Sequence, residues 1–112
     1  MFNFDILENY TGTELYYHAP LIWFKYTDGV KYVARNGGAW LVQDISLFTA
    51  KHRNDDFVSI QAVFKNNKAD ISFSDGNGNE WKKYHVAHTP DFEEGEINFY
   101  IIDGICLLAN EY

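Results

Sequence analysis

Near residue 54 the hydrophobic period of this chain changes, and that change constrains the fold more than any single motif. Before it, "AWLVQDISLFTAKH" places Leu41, Ile45, Phe48 and His52 at i, i+4, i+7 and i+11, the spacing of a helix lying against a core. After it, "FVSIQAVFK" sends Val58, Ile60, Ala62 and Phe64 to one face and Ser59, Gln61 and Lys65 to the other, as a half-buried strand requires. Helices first and strands after describe an α+β domain whose helices cover one sheet face.

The turn chemistry extends both halves. "NNKA" turns the chain, "DISFS" returns it, and "DGNGN" is a strong turn signal before "EWKKYHVAH". The acidic loop "TPDFEEGE" leads to "INFYII", and Asp103-Gly104 reads as a two-residue hairpin turn into "ICLLA". The expectation is a roughly five-stranded antiparallel meander over residues 54–112. Upstream, Phe2, Ile6 and Tyr10 recur at helical spacing, with Asn3 or Asp5 able to cap the first turn. "TGTELYYHAP" reads as an ordered loop, and "LIWFKY" as a possible strand. Thr27 and Asp28 suit an N-cap, Val30, Val33 and Ala34 form one face, and Gly37 can take the left-handed conformation that ends a helix before Gly38. The reading is therefore one domain over residues 1–112, with N-terminal helices in 1–53 packed on one face of the sheet.

At 112 residues and 46% apolar content, one compact domain with one core is expected, large enough to fold without metal or disulfide. The single cysteine, Cys106, lies in an apolar run and reads as a small buried hydrophobe. The first ten residues lack the pattern of a signal peptide, and no segment approaches the ~20 apolar residues of a membrane span, so a cytoplasmic protein is expected.

Charge divides at the same boundary. Residues 1–53 are balanced, whereas residues 54–112 hold four lysines against eleven acids, which is the whole net charge of −7. Such a surface repels phosphate backbones and attracts basic protein surfaces.

The chemistry-bearing residues show no convergence along the chain. His85 and His88 are three apart in a strand and point to opposite faces. Asp91, Glu93, Glu94 and Glu96 read as a solvated turn and do not match a calcium loop. Thr11, Thr13, Ser46, Ser72 and Ser74 have no activating context, and no phosphate-cradling glycine loop follows a strand. No catalytic, metal or cofactor residue is assigned. The aromatic crowding at Tyr16, Tyr17 and His18, in a segment read as a loop, suits either folding back onto the core or a contact surface.

The run "YTGTELYYHAPLIWFKYTDGVKYVARNGGAWLVQDI", with "DGNGNEW", the Asp-Phe at 91 and 92 and the closing "GICLLANEY", resembles an uncharacterised family of small bacterial, phage and plasmid proteins. Thr11 to Glu14 and Tyr26 to Tyr32 are the most specific positions of the match, and residues 55–73 match weakly. The resemblance supplies no active site and no cofactor. It implies a context in which small acidic proteins occupy host proteins, with inhibitors of CRISPR-type defence complexes as recurrent examples. The resulting expectation is a non-catalytic protein-binding module, an inhibitor of a nucleic-acid-handling host complex with a basic surface. Asp55, Asp56, Asp91, Glu93, Glu94 and Glu96 would meet that surface, and Tyr16, Tyr17 and Trp81 would anchor it. A small enzyme using His18 or His85 with a carboxylate, and a homo-oligomeric structural protein, are the alternatives.

Overall fold

Strand patterning from residue 57 onward builds most of one six-stranded sheet. The computed structural model describes residues 1–12 and 15–112; Thr13 and Glu14, part of the segment read as a loop, lie outside the described residues. In chain order the sheet contains β1 (Lys25–Tyr26), β2 (Phe57–Lys65), β3 (Lys68–Ser74), β4 (Glu80–Val86), β5 (Gly95–Ile102) and β6 (Ile105–Leu108). Two helices, α1 (Asp28–Val33) and α2 (Ala39–Thr49), lie between β1 and β2, and a 3-10 turn over Phe4–Asn9 opens the chain. The fold is α+β.

Three parts of the expected architecture are corrected. Among the described residues the strands number six, because "LIWFKY" contributes the short β1, paired parallel to β6. The helical block follows β1, and the first element is the 3-10 turn, whose N-terminal Asn3 side chain accepts from the Asp5 N–H. The sheet is not a meander, since its order is β1-β6-β5-β2-β3-β4, with β5 beside β2. The cause is residues 87–94, long enough to carry the chain from β4 past the ends of β3 and β2. Phe92 anchors this crossover, fully buried and stacked 4.6 Å from Phe64. Asn67, in the β2–β3 turn, clasps it: its carbonyl accepts from Thr89 N–H at 2.7 Å, and its side-chain amide reaches the Thr89 and Phe92 carbonyls at 3.4 Å.

The β2 alternation is realised as read. Val58, Ile60, Ala62 and Phe64 are buried beneath the helices, joined by Ile71 and Phe73 of β3 and by Ile97 and Phe99 of β5. Each such large side chain stabilises the fold by about 1.5–3 kcal/mol relative to exposure. The opposite face is open, and its centre is a row of Lys83, Ser72, Gln61 and Asn98 set by the strand register.

Local signals explain the helices. Thr27 Oγ1 accepts from Val30 N–H at the start of α1. Gly37, at φ 101°, breaks the helical path before α2 begins. Leu41 and Ile45 of α2 are buried on the sheet, with Phe48 and His52 half-buried beyond them. No helix among the described residues is long and apolar enough to cross a membrane.

Candidate functional site

The outer flank of α2 and the segment before β1 enclose an apolar groove of about 560 Å³. Sequence dictates its wall. Tyr17 and Tyr26 exchange two backbone hydrogen bonds at 2.8 Å, closing the intervening chain into a loop. Within it His18 Nε2–H donates to the Ile22 carbonyl at 2.9 Å, and Ile22 N–H donates to the Ala19 carbonyl at 3.3 Å. Ala19 to Ile22 is therefore a β-turn with Pro20 at its second position. Proline holds φ near −65°, and Leu21 follows at φ 69°, the combination of a type II turn. That third position ordinarily takes glycine; here it carries a leucine that is 101% exposed.

The wall is fixed to the helix by Trp23. Its backbone N–H donates to Ser46 Oγ at 3.2 Å, and its indole N–H donates to Thr49 Oγ1 at 3.0 Å. Thr49 in turn donates to the Ile45 carbonyl at 2.6 Å, which orients its hydroxyl to accept from the indole. The floor comes from Ala34, Val42 and Ser46, and the helix presents Ala39, Gln43 and Leu47 along the mouth. Ala39, Gln43 and Leu47 are i, i+4 and i+8, a second stripe beside the buried one. Leu47 is 68% exposed.

No charged residue lines this groove; Arg35 and Lys51, each next in sequence to a lining alanine, are exposed. Lys31 Nζ stands 3.9 Å over the Tyr17 ring, which itself packs 5.9 Å from the Tyr26 ring lining the groove. The nearby carboxylates are engaged. Asp28 accepts from the Tyr17 hydroxyl, which is the main cause holding that hydroxyl's pKa above its ordinary value. Asp44, on another side of α2, accepts from Tyr84 at 2.9 Å.

The residues expected to bind a partner are distributed over the molecule. Tyr16 is half-exposed and Tyr17 half-buried, both beside the β1 edge next to the groove. Trp81 lies at the β4 edge, its ring stacked 3.8 Å from His52 and packed 5.3 Å from Phe73. Asp55 and Asp56 precede β2; Asp91, Glu93 and Glu94 lie at the other end of that strand, roughly 30 Å away at about 3.3 Å per residue. Glu96 is on the open face, accepting from Asn98 at 2.7 Å. The acids thus occupy two ends of the sheet and its open face.

Among the described residues, no group of three or more His, Cys, Asp or Glu side chains is placed to share a metal ion. His85 Nδ1 lies 3.0 Å from Asp70 Oδ1 on the open face, with both side chains more than half exposed. The polar basin nearby, about 310 Å³, is lined by Ser59, Gln61, Ser72, Ser74, Gly78, Glu80 and Asn98 and excludes that pair. Cys106 is buried, and burial pushes its thiol pKa up.

Sequence reasoning reached Tyr16 and Tyr17 but missed Leu21 and Leu47. A signal was present for each: Pro-Leu where a turn would call for Pro-Gly, and Leu47 standing off the Leu41, Ile45 and Phe48 face of α2. No curated protein and no solved structure matches this chain. Over residues 3–112 it matches the model of a family of unknown function, DUF6876, and the chain belongs to that family.

Proposed function

We propose that this chain is a non-catalytic protein-binding module whose contact surface is the groove between α2 and the turn at residues 19–22. Leu21 carries the reading: a fully exposed leucine held at positive φ, at the lip of an apolar groove. A solvated apolar side chain contributes no burial, and its backbone conformation is strained. Both costs are offset if a partner covers the side chain, and contiguous exposed apolar surface is a mark of such contact.

A finer form of the proposal is an inhibitor that occupies a basic, nucleic-acid-handling surface of a host complex. It rests on the acidic excess of residues 54–112. Because the acids lie at separate ends, one end at a time would meet such a surface.

Parallel affinity capture tests both forms. The tagged chain would be compared with a Leu21→Asp, Leu47→Asp variant and with a Glu93→Lys, Glu94→Lys variant, each eluted in rising salt. A protein captured by the parent and the lysine variant, and lost from the groove variant, is the expected result. Loss only on acid reversal would move the contact to the acidic end. Capture indifferent to both would reject both surfaces.

A further inference from the structure

We infer that Asn77 is a self-modifying site, whose side-chain amide is displaced by the nitrogen of the following glycine to leave aspartate and isoaspartate; the inference is independent of the protein-binding reading. Two asparagines of the chain precede glycine, Asn36 and Asn77. That neighbour matters because glycine has no Cβ to obstruct the approach of its nitrogen to the asparagine side chain. Both asparagines are exposed, so exposure does not separate them. Their surroundings do.

The Asn36 amide is tied back to α1, donating to the Tyr32 carbonyl at 2.7 Å. Its glycine is packed, since a Cβ on Gly37 would stand 3.1 Å from Asp91. Electrophile and nucleophile are thus each held by a neighbouring element. Around Asn77 the restraints fall outside the reacting pair. Asp75 Oδ1 accepts the Asn77 N–H at 2.8 Å and the Asn79 N–H at 3.3 Å, and Asp75 Oδ2 accepts the Asn79 side chain at 2.8 Å. These bonds fix both sides of the β3–β4 turn and leave the Asn77 side chain and the Gly78 nitrogen at its tip. Among the described residues neither of those two groups has a hydrogen-bond partner. A Cβ on Gly78 would meet nothing within 4 Å, so the tip has room to turn the two groups together. The Asp-Gly pairs at 75–76 and 103–104 lack the ammonia leaving group.

The reaction balances with water alone. The Gly78 nitrogen gives its proton to solvent hydroxide and attacks Asn77 Cγ. The Cγ–Nδ2 bond breaks, and the amide nitrogen leaves as ammonia with a proton from water. The cyclic imide then takes up one water. Cleavage between the Gly78 nitrogen and Cγ gives aspartate; cleavage between that nitrogen and the Asn77 backbone carbonyl carbon gives isoaspartate, with the chain running through Cγ. Either product adds one negative charge to the net −7, in a turn whose Gly78 borders the open-face basin. Isoaspartate also lengthens the backbone by one carbon between the two N–H groups that Asp75 clamps.

Peptide mass spectrometry tests the assignment. The native protein and the same chain in urea would be incubated side by side at mildly alkaline pH until the urea sample has reacted, then digested under mildly acidic conditions. In urea the Asn36 and Asn77 peptides should both gain about 1 Da, and in the native protein the Asn77 peptide alone should gain it. Electron-transfer fragmentation should find isoaspartate at position 77. Asn77→Gln, whose longer side chain would have to close a larger ring, should lose the native gain. A gain at Asn36 equal to or ahead of that at Asn77 in the native protein would overturn the assignment. An Asn77 peptide that stays unchanged in the native protein while its urea counterpart reacts would do the same, because the fold would then protect the turn. A native gain that persists in Asn77→Gln would place the reaction elsewhere.

Discussion

The Thr27 hydroxyl donates to Glu111 Oε1 at 2.6 Å, joining the cap of α1 to the last residues of the chain across 84 positions. The same carboxylate accepts Leu108 N–H at 2.9 Å and Gly29 N–H at 3.2 Å. Three donors converge on one side chain, so the short α1 is held by a tertiary bond to Glu111 as well as by its own cap. The two ends of the sequence that carry the family resemblance are thereby one structural unit.

Removing that carboxylate leaves the Gly29 and Leu108 amides without their acceptor. Glu111→Ala should destabilise the fold by about 2–3 kcal/mol, read from the midpoint of urea unfolding at unchanged slope. Gly29→Ala tests the same junction sterically. A methyl there would stand 2.6 Å from Leu108 Cδ1 and 2.7 Å from Glu111 Oε1. Since Leu108 is buried and Glu111 is bonded three ways, neither yields cheaply, and a loss of about 1–3 kcal/mol is expected.

Asn67 joins the β2–β3 turn to the crossover, and its two functions separate by substitution. It holds φ 58°, which asparagine and glycine tolerate and alanine does not, and its amide reaches the Thr89 and Phe92 carbonyls. Asn67→Gly keeps the turn and loses the two long amide bonds, for an expected cost of about 0.5–1 kcal/mol. Asn67→Ala adds backbone strain and should cost about 1–2 kcal/mol more. Hydrogen exchange of residues 89–93 should accelerate in both. Equal stability of the two variants would show that the turn, and not its conformation at Asn67, is what matters.

Tyr84 should make the protein sensitive to alkali. Burial first, and the bond to Asp44 second, raise its pKa well above the ordinary range of a tyrosine. A raised folded pKa means that the unfolded chain loses its proton first. The contribution to stability is fully present below pH ~10 and falls as pH rises toward the folded value. Urea midpoints measured from pH 8 to 11 should decline at the upper end. Tyr84→Phe should be less stable near pH 7 by about 1 kcal/mol, for loss of the hydroxyl bond, and should show a shallower alkaline decline.

The elements legible in the sequence are those whose signals are local. Thr27 and Gly37 mark α1 by oxygen chemistry and by positive φ, the β2 alternation is visible in nine residues, and Asp103-Gly104 is a hairpin turn by type. Strand order was not legible, because it depends on whether residues 87–94 form a tight return or a crossover. That choice is made by Phe92 burying itself on Phe64 and by Asn67 receiving the passing backbone, both contacts between distant positions. β1 was overextended for a related reason. The aromatic content of "LIWFKY" serves Trp23 and Phe24 packing, and only two residues pair with β6. The groove was hidden because Leu21 and Leu47 look like ordinary apolar residues until the fold leaves them outside.

Leu21 yields the most discriminating prediction, since its contributions to stability and to binding should have opposite signs. A left-handed conformation costs a leucine about 1–2 kcal/mol, and glycine adopts it freely at the expense of some unfolded-state entropy. The side chain is 101% exposed, so its removal forfeits no burial in the free protein. Leu21→Gly should therefore stabilise the isolated chain by about 0.5–1 kcal/mol, raising its melting temperature by a few degrees. The same variant should bind a groove ligand more weakly, by about tenfold if the leucine is half or more covered in the complex. A stabilised variant with unchanged affinity would leave Leu21 strained without a binding role. A destabilised one would mean that its side chain rests on the Pro20 and Ile22 wall in solution. Only the paired result, firmer fold and weaker binding, identifies a residue kept at a cost to the free protein for the sake of its complex.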